Sequence, residues 1–336
     1  METYVIAEAG VNHNGKLDLA VQLIDKAKEA GASCIKFQTF KTENLISKKA
    51  PKADYQLITT DKKESQFSML KNLELTYENF SYLNDYCIKN EIDFMSTPYN
   101  FEDVDFLDNL GVNCFKIASG QLTELPFINY VAKKNKKIIL SSGMSNLSQI
   151  FDAIEVIKKN SDSEITVLQC TTNYPSNIED ANLNCLRTIR QACEVKVGYS
   201  DHVMGNHACF AAVALGATVI EKHFTLDKNM AGPDHSCSCD FIDLKELIYG
   251  IREIEKSLGS RIKKPTSTEL KNAKGMKRSI VAKVDIKKGE KIKKEHLVFK
   301  RPLGGLEINY YDLIIGKKST KDIKADSLFN FDMIKW

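Results

Sequence analysis

Short apolar runs alternate with longer amphipathic segments along the first two-thirds of the 336-residue chain. The runs are YVIAEAG (4–10), SCIKFQ (33–38), IDFMST (92–97), NCFKIAS (113–119), KIILSSG (137–143), ITVLQCT (165–171), EVKVGYSD (194–201) and ATVIEKH (217–223). Their length and β-branched content predict strands. Between them, apolar positions recur with helical period over Leu17–Ala30, Glu78–Asn90, Glu102–Leu110, Leu125–Lys134, Leu147–Lys159, Asn182–Ala192, Asn206–Leu215 and Asp243–Leu258. Eight strands, each followed by a helix, predict a (β/α)8 barrel over residues 1–258, close to the roughly 250 residues typical of that fold. A doubly wound open sheet is the runner-up. It usually carries a glycine-rich first turn, and EAGVNHNG lacks the GxGxxG spacing.

Two stretches stand outside this rhythm. The polar insert Lys41–Leu73 follows the second strand, which in a barrel makes it a loop on the C-terminal face, long enough to act as a lid. Residues 259–278 are polar and lysine-rich and read as a linker. From about Ser279 the pattern changes to a small β-rich domain, residues 279–336. It carries an internal echo in which Asp285-Ile286-Lys287 matches Asp322-Ile323-Lys324, as expected of two similar halves. So few residues make a marginal domain alone, which predicts packing against the barrel or a partner chain.

Composition narrows the class. The chain is 43% hydrophobic and 27% charged, an ordinary globular balance, and its net charge of +3 gives no global field for nucleic acid. No run of 18 apolar residues and no signal-like N-terminus argues against a membrane span or secretion, so a cytoplasmic protein is expected. The nine scattered cysteines fit reduced, buried thiols. Cys237 and Cys239 are the one close pair, and without a second CxxC or matching His spacing they read as small core residues. The lysine-rich segment 261–300 is a solvated surface or an anion-attracting patch.

A barrel places its chemistry where the strands end. That selects Glu8, Lys36, Gln38, Thr97, Lys116, Ser119, Ser141, Ser142, Thr172, Tyr174, Ser200, His202 and His223. Lys36 and Lys116 sit inside apolar strands. A single such lysine would read as a snorkelling surface residue, but two at equivalent places beside hydroxyls favour a phosphate or carboxylate ligand. His202 and His223 close the seventh and eighth strands, whose spacing of roughly 4.8 Å lets both imidazoles converge on one ion. Either alone reads as a satisfied core histidine. Together, with Asp201, Glu221, Asp234 and His235 nearby, they read as two ligands of a metal site with open positions. His207 and His296 look structural. Glu8 would face the mouth as a hydroxyl acceptor or general base. No GxSxG elbow, Walker A motif or Cys–His pair is present.

These stretches resemble the sialic acid, or nonulosonate, synthases: barrel enzymes with a C-terminal antifreeze-like (SAF) domain. The resemblance rests on IAEAGVNHNG (6–15), IKFQTF (35–40), MSTPY (95–99), FKIASGQ (115–121), ILSSGM (139–144), CTTNYP (170–175), GYSDH (198–202), ALGATVIEKHFT (214–225), GPDH (232–235) and FKRPLGG (299–305). KADYQL and ESQFSML look more like the legionaminic-acid branch than the N-acetylneuraminate or pseudaminic types.

The resemblance implies condensation of phosphoenolpyruvate with an N-acetylated mannose-type sugar, N-acetylmannosamine or its 2,4-diacetamido-2,4,6-trideoxy analogue. The product would be a nine-carbon 2-keto sugar acid plus phosphate. Lys36, Thr97, Lys116, Ser119, Ser141, Thr172 and Ser200 would bind phosphoenolpyruvate. Glu8, Gln38, Gln121, Tyr174 and Asp234 match sugar-side positions, and Arg301 matches an arginine that reaches into the partner's barrel, which implies a homodimer with swapped tails. His202 and His223 would hold a divalent ion, Mn2+, Mg2+ or Co2+. Two positions depart from the pattern and bear on the sugar. Gln121 stands where many relatives carry an acid, and Thr172 where the neuraminate type has asparagine. The competing readings are a Schiff-base aldolase using Lys36 or Lys116 and a tail that binds a polyanion.

Overall fold

The computed structural model describes residues 2–52, 56–61 and 63–336. Residues 53–55 of the KADYQL motif, and Lys62 of the predicted lid, lie outside the described residues. The chain divides into two compact units, residues 1–259 and 260–336.

The first unit is a parallel β/α barrel. Its strands are β1 (Tyr4–Gly10), β2 (Cys34–Thr39), β3 (Asp93–Pro98) and β4 (Cys114–Ile117), then β5 (Lys137–Ser141), β6 (Ile165–Cys170), β7 (Lys196–Asp201) and β8 (Val219–His223). The major helices between and after them are α1 (Leu17–Ala30), α2 (Tyr77–Lys89), α3 (Phe101–Leu110) and α4 (Leu125–Ala132), then α5 (Leu147–Asn160), α6 (Cys185–Cys193), α7 (His207–Ala214) and α8 (Phe241–Leu258). The strands follow one another in chain order around the ring. β1 pairs in parallel with both β2 and β8, and β3 lies against β4, so an open doubly wound sheet is excluded.

The helices form where the apolar period put them. In α1, Ala20, Leu23, Ile24, Ala27 and Ala30 make one buried face. Thr76, Asn146 and Asp240 cap α2, α5 and α8 through capping boxes, each cap contributing about 1 kcal/mol.

Period-2 alternation sorts each strand into an outer and an inner face. Outward residues such as Val5, Phe37, Phe115, Val167, Tyr199 and Ile220 join the large core against the helices. Inside the barrel, Ile6, Cys34, Met95, Ile139, Leu168 and Val219 form a separate apolar plug. Gly198 belongs to this layer because a Cβ there would collide with the Leu168 side chain and the Val219 carbonyl. Above the plug, the next inward position on most strands is polar. That step creates the site.

The insert after β2 is more structured than its polar composition predicted, with short helices at Thr42–Leu45, Gln56–Thr59 and Gln66–Leu73. The stretch 259–278, expected as a linker, contains a helix, α9 (Ser267–Met276). Its Thr266/Glu269 capping box is enough to start a helix that buries none of its residues, so no apolar stripe announces it.

In the second unit β9 (Ser279–Ala282) pairs antiparallel with β10 (Leu297–Lys300) over a core that includes Ile280, Ile292, Leu306, Ile314 and Phe329. The sequence echo is a structural two-fold. Ile286 and Ile323 exchange backbone hydrogen bonds of 2.8 Å each. Asp322 accepts from the Lys288 amide, and Asp285 accepts from Ala325 at the equivalent place.

Candidate active site

A cavity of about 240 Å³ opens at the C-terminal end of the barrel. It is lined by Glu8, Lys36, Gln38, Thr97, Lys116 and Ser119, and by Gln121, Ser141, Thr172, Tyr174, Ser200, His202 and His223. All the barrel residues selected from strand ends and motifs thus converge here, except Ser142, which is buried beside the cavity and donates to the Leu168 carbonyl, and Asp234, which lines the adjoining cavity. Arg301 belongs to the second unit, where it is exposed.

The floor of the cavity is a buried ionic network. Lys36 lies 2.7 Å from the Glu8 carboxylate and donates to Thr97 at 3.2 Å. Lys116 donates to Ser141 at 2.7 Å and lies 3.4 Å from Glu221. Glu221 also faces Lys36 at 3.8 Å and accepts from Ser200 at 3.0 Å. It is the anion shared by both lysines. Burial alone would push its carboxyl up, but Lys116 and Lys36 hold it down at about 2. Burial lowers Lys116 despite the pull of Glu221, whereas Glu221 and Glu8 overcome burial and raise Lys36. Burial raises Glu8 to about 6, against the opposing field of Lys36.

Sequence reasoning noted Glu221 only as a neighbour of the histidines and passed over Tyr99, which donates to Gln38 at 3.4 Å. The available signal was parity: Glu221 is two residues before His223, and Tyr99 two after Thr97, on the same inward faces.

The walls hold polar atoms with nothing to bond. Gln121 Oε1, Thr172 Oγ1 and His223 Nδ1 are buried without hydrogen-bond partners. Such groups are costly in an interior and point to a ligand that satisfies them. Gly143 closes this wall, donating its amide to Ser119 Oγ at 3.0 Å. A Cβ there would collide with Thr172 Oγ1 and Ser119 Oγ.

The two imidazoles lie side by side with ring centroids 5.3 Å apart. His202 Nδ1 is 2.7 Å from the Thr171 carbonyl. A carbonyl only accepts, so Nδ1 carries a proton and Nε2 is the nitrogen left to ligate an ion. Against burial, the Cys170 thiol and this carbonyl raise His202 above the usual imidazole value. Burial, reinforced by the nearby His202 and Lys36, pushes His223 well below the usual imidazole range, leaving it neutral. Asp234 lies 4.0 Å from His223 Nδ1. Among the described residues no three of His, Cys, Asp and Glu form a complete ligand set. His202 Nε2 and the neutral His223 ring would hold an ion that takes its other ligands from substrate and water.

A second cavity of about 280 Å³ shares Gln38, Tyr99, Tyr174 and His223 with the first and adds Asp234. Val11, Leu45, Ile46, Met69 and Leu70 give it an apolar wall. Burial raises Asp234 to about 6, with His202 opposing. His235, which the sequence left without a role, is fully buried and bridges Thr225 Oγ1 at 2.7 Å and Asn14 Oδ1 at 3.2 Å.

This arrangement has known counterparts. Residues 23–263 match the NeuB family, and residues 277–335 match the SAF domain. The chain belongs to the NeuB family. The N,N'-diacetyllegionaminic acid synthase of Campylobacter jejuni is 49% identical over 329 residues, 97% of this chain and 98% of that protein. The N,N'-diacetyllegionaminic acid synthase of Legionella pneumophila is 40% identical over 339 residues, 100% of this chain and 95% of that protein. A solved N-acetylneuraminic acid (sialic acid) synthetase of Leptospira borgpetersenii superposes with a TM-score of 0.73 at 32% identity, covering 81% of this chain and 90% of that one. Among the described residues no helix is long and apolar enough to cross a membrane.

Proposed function

We infer that this NeuB-family enzyme is a nonulosonic acid synthase that condenses phosphoenolpyruvate with an acetamido sugar and releases phosphate. The observation that carries the reading is the pair of buried ammonium groups, Lys36 and Lys116, held at the cavity floor by one shared carboxylate. Phosphoenolpyruvate carries a phosphate and a carboxylate, and those two anions match two lysines ringed by hydroxyls. Thr97, Ser119, Ser141 and Ser200 donate to its oxygens, and the orphaned Thr172 hydroxyl gains a partner.

The chemistry follows from the substrates. C3 of phosphoenolpyruvate bonds to the aldehyde carbon, whose oxygen takes a proton. Water adds at C2, the C2–O bond to phosphate breaks, and a 2-keto acid remains. A divalent ion, Mn2+, Mg2+ or Co2+, held by His202 and His223 would supply Lewis-acid polarisation of the aldehyde oxygen. Glu8, Gln38, Gln121, Tyr174 and Asp234 orient the sugar hydroxyls and amides. Glu8, raised toward neutrality, can accept and return a proton there.

The acceptor we propose is 2,4-diacetamido-2,4,6-trideoxymannose. The products named by the Campylobacter and Legionella relatives support it, and so does the apolar wall of the second cavity, which suits a C6 methyl better than a hydroxyl. A hydrophobic pocket of this kind discriminates by roughly 10- to 100-fold. Phosphate release should therefore be faster with this sugar than with N-acetylmannosamine. No phosphate release with either sugar would sink the proposal. Exhaustive chelation should abolish turnover. Survival of activity in EDTA, with inactivation by borohydride plus substrate, would favour the aldolase.

The working unit we propose is a cytoplasmic homodimer in which the partner's Arg301 completes the sugar site. Arg301→Ala should raise the sugar KM about tenfold or more, the scale of a lost charged hydrogen bond, and leave the phosphoenolpyruvate KM unchanged. An unaltered sugar KM would remove the tail from the site.

A further inference from the structure

The last rung of the β7–β8 ladder joins Asp201 to Lys222. Both lie on the outer face of the barrel, opposite the cavity, and both are buried, at 1% and 4% exposed. One residue further along, each strand turns an imidazole inward: His202 after Asp201, and His223 after Lys222. We propose that the Asp201–Lys222 pair is a positioning device that fixes the two imidazoles for the metal ion; the inference rests on the metal reading above.

The contacts are concentrated on the backbone around His202. Lys222 Nζ lies 2.5 Å from Asp201 Oδ2 and donates to the Val203 carbonyl at 2.8 Å. Asp201 Oδ1 accepts from the Val203 amide at 2.9 Å and from the Tyr199 hydroxyl at 3.0 Å. Cys209, from α7, donates to Asp201 Oδ2 at 3.1 Å. Both polar groups of Val203 are thus gripped by the pair, and Asp201 is itself a member of it. His202 sits between them, so the backbone on both sides of it is tied to β8 through Lys222. On the other strand, the residue doing the gripping is the one that immediately precedes His223.

Stability alone is a weak reason for this pair. A buried ion pair repays its desolvation poorly, and neutral replacements of similar volume often leave a protein equally stable. What an apolar pair cannot supply is a directed link between the two strand ends. Groups that orient metal ligands from behind typically change metal affinity by 10- to 100-fold when removed.

The test is Mn2+ binding by the full chain, followed by the electron paramagnetic resonance of the free ion, with melting temperature measured in parallel. The double variant Asp201→Asn/Lys222→Met avoids a lone buried charge. It should melt near the wild type yet bind Mn2+ roughly 10- to 100-fold more weakly. Asp201→Glu keeps the charge opposite Lys222 while displacing the Oδ1 acceptor of Val203 and Tyr199, and serves if the double variant does not fold; it should also weaken binding. His202→Ala is the reference and should lose the ion. Wild-type Mn2+ affinity in a folded Asp201 variant, with binding lost in His202→Ala, would overturn the positioning role and leave the metal site intact. Wild-type affinity in His202→Ala would overturn the metal reading and this inference with it.

Discussion

Two cavities of nearly equal size open at opposite ends of the same barrel. The one at the strand ends measures about 240 Å³ and the one at the strand starts about 250 Å³. The apolar plug of Ile6, Met95, Ile139, Leu168 and Val219 lies between them. Their charges are held in opposite ways. At the mouth, Lys36, Lys116, Glu8 and Glu221 are all buried, and polar atoms are left without partners. At the other end, Lys196 and Glu164 pair at 2.6 Å with each side chain 44% exposed, and Tyr4 donates to Asp93 in an exposed contact. Cavity size does not locate the chemistry. Charge kept out of water beside polar atoms that have no partner does, because a ligand there repays that cost.

The same substitution at each end should break the symmetry most sharply. Lys116→Met should lower kcat/KM for phosphoenolpyruvate by roughly 10²- to 10³-fold, the scale of losing one preorganised charge. A loss below tenfold would mean that Lys116 does not touch the reacting anion. Glu221→Gln should come next. It leaves Lys116 without its counter-charge, and breaking a buried pair from one side typically costs about 3–5 kcal/mol. The melting temperature of the free enzyme should fall by several degrees and recover as phosphoenolpyruvate is added, since the substrate replaces the missing anion. A fall that added phosphoenolpyruvate cannot reverse would make Glu221 a structural residue only. Lys196→Met should do least, changing stability by about 0.5 kcal/mol or less and leaving kcat/KM as in the wild type. A marked loss of turnover there would give the lower cavity a function.

Much of the mouth was legible because a parallel strand has only two faces. Lysine in SCIKFQ and NCFKIAS breaks the apolar pattern, and a break at the same depth in several strands marks a common layer. Glu221 was harder. In VIEKH three polar residues follow one another; parity with His223 gives Glu221 its inward face, but only the structure shows it shared by Lys36 and Lys116 while Lys222 pairs with Asp201 on the other side. The apolar wall of Leu45, Ile46, Met69 and Leu70 was hidden for a different reason. Its residues lie in a polar insert with no regular period, and they meet only through the short helices that fold it over the mouth. The helix at Ser267–Met276 was missed because a helix that buries none of its residues carries no apolar stripe to read.

The account stands on phosphoenolpyruvate losing its phosphate through the bond to carbon. That bond can be followed directly with phosphoenolpyruvate carrying ¹⁸O in the C2–O–P bridge, the 2,4-diacetamido sugar and the divalent ion. The label should leave with inorganic phosphate, and the new keto oxygen should come from water. Label retained in the sugar acid, or a sugar acid formed without phosphate release, would contradict it.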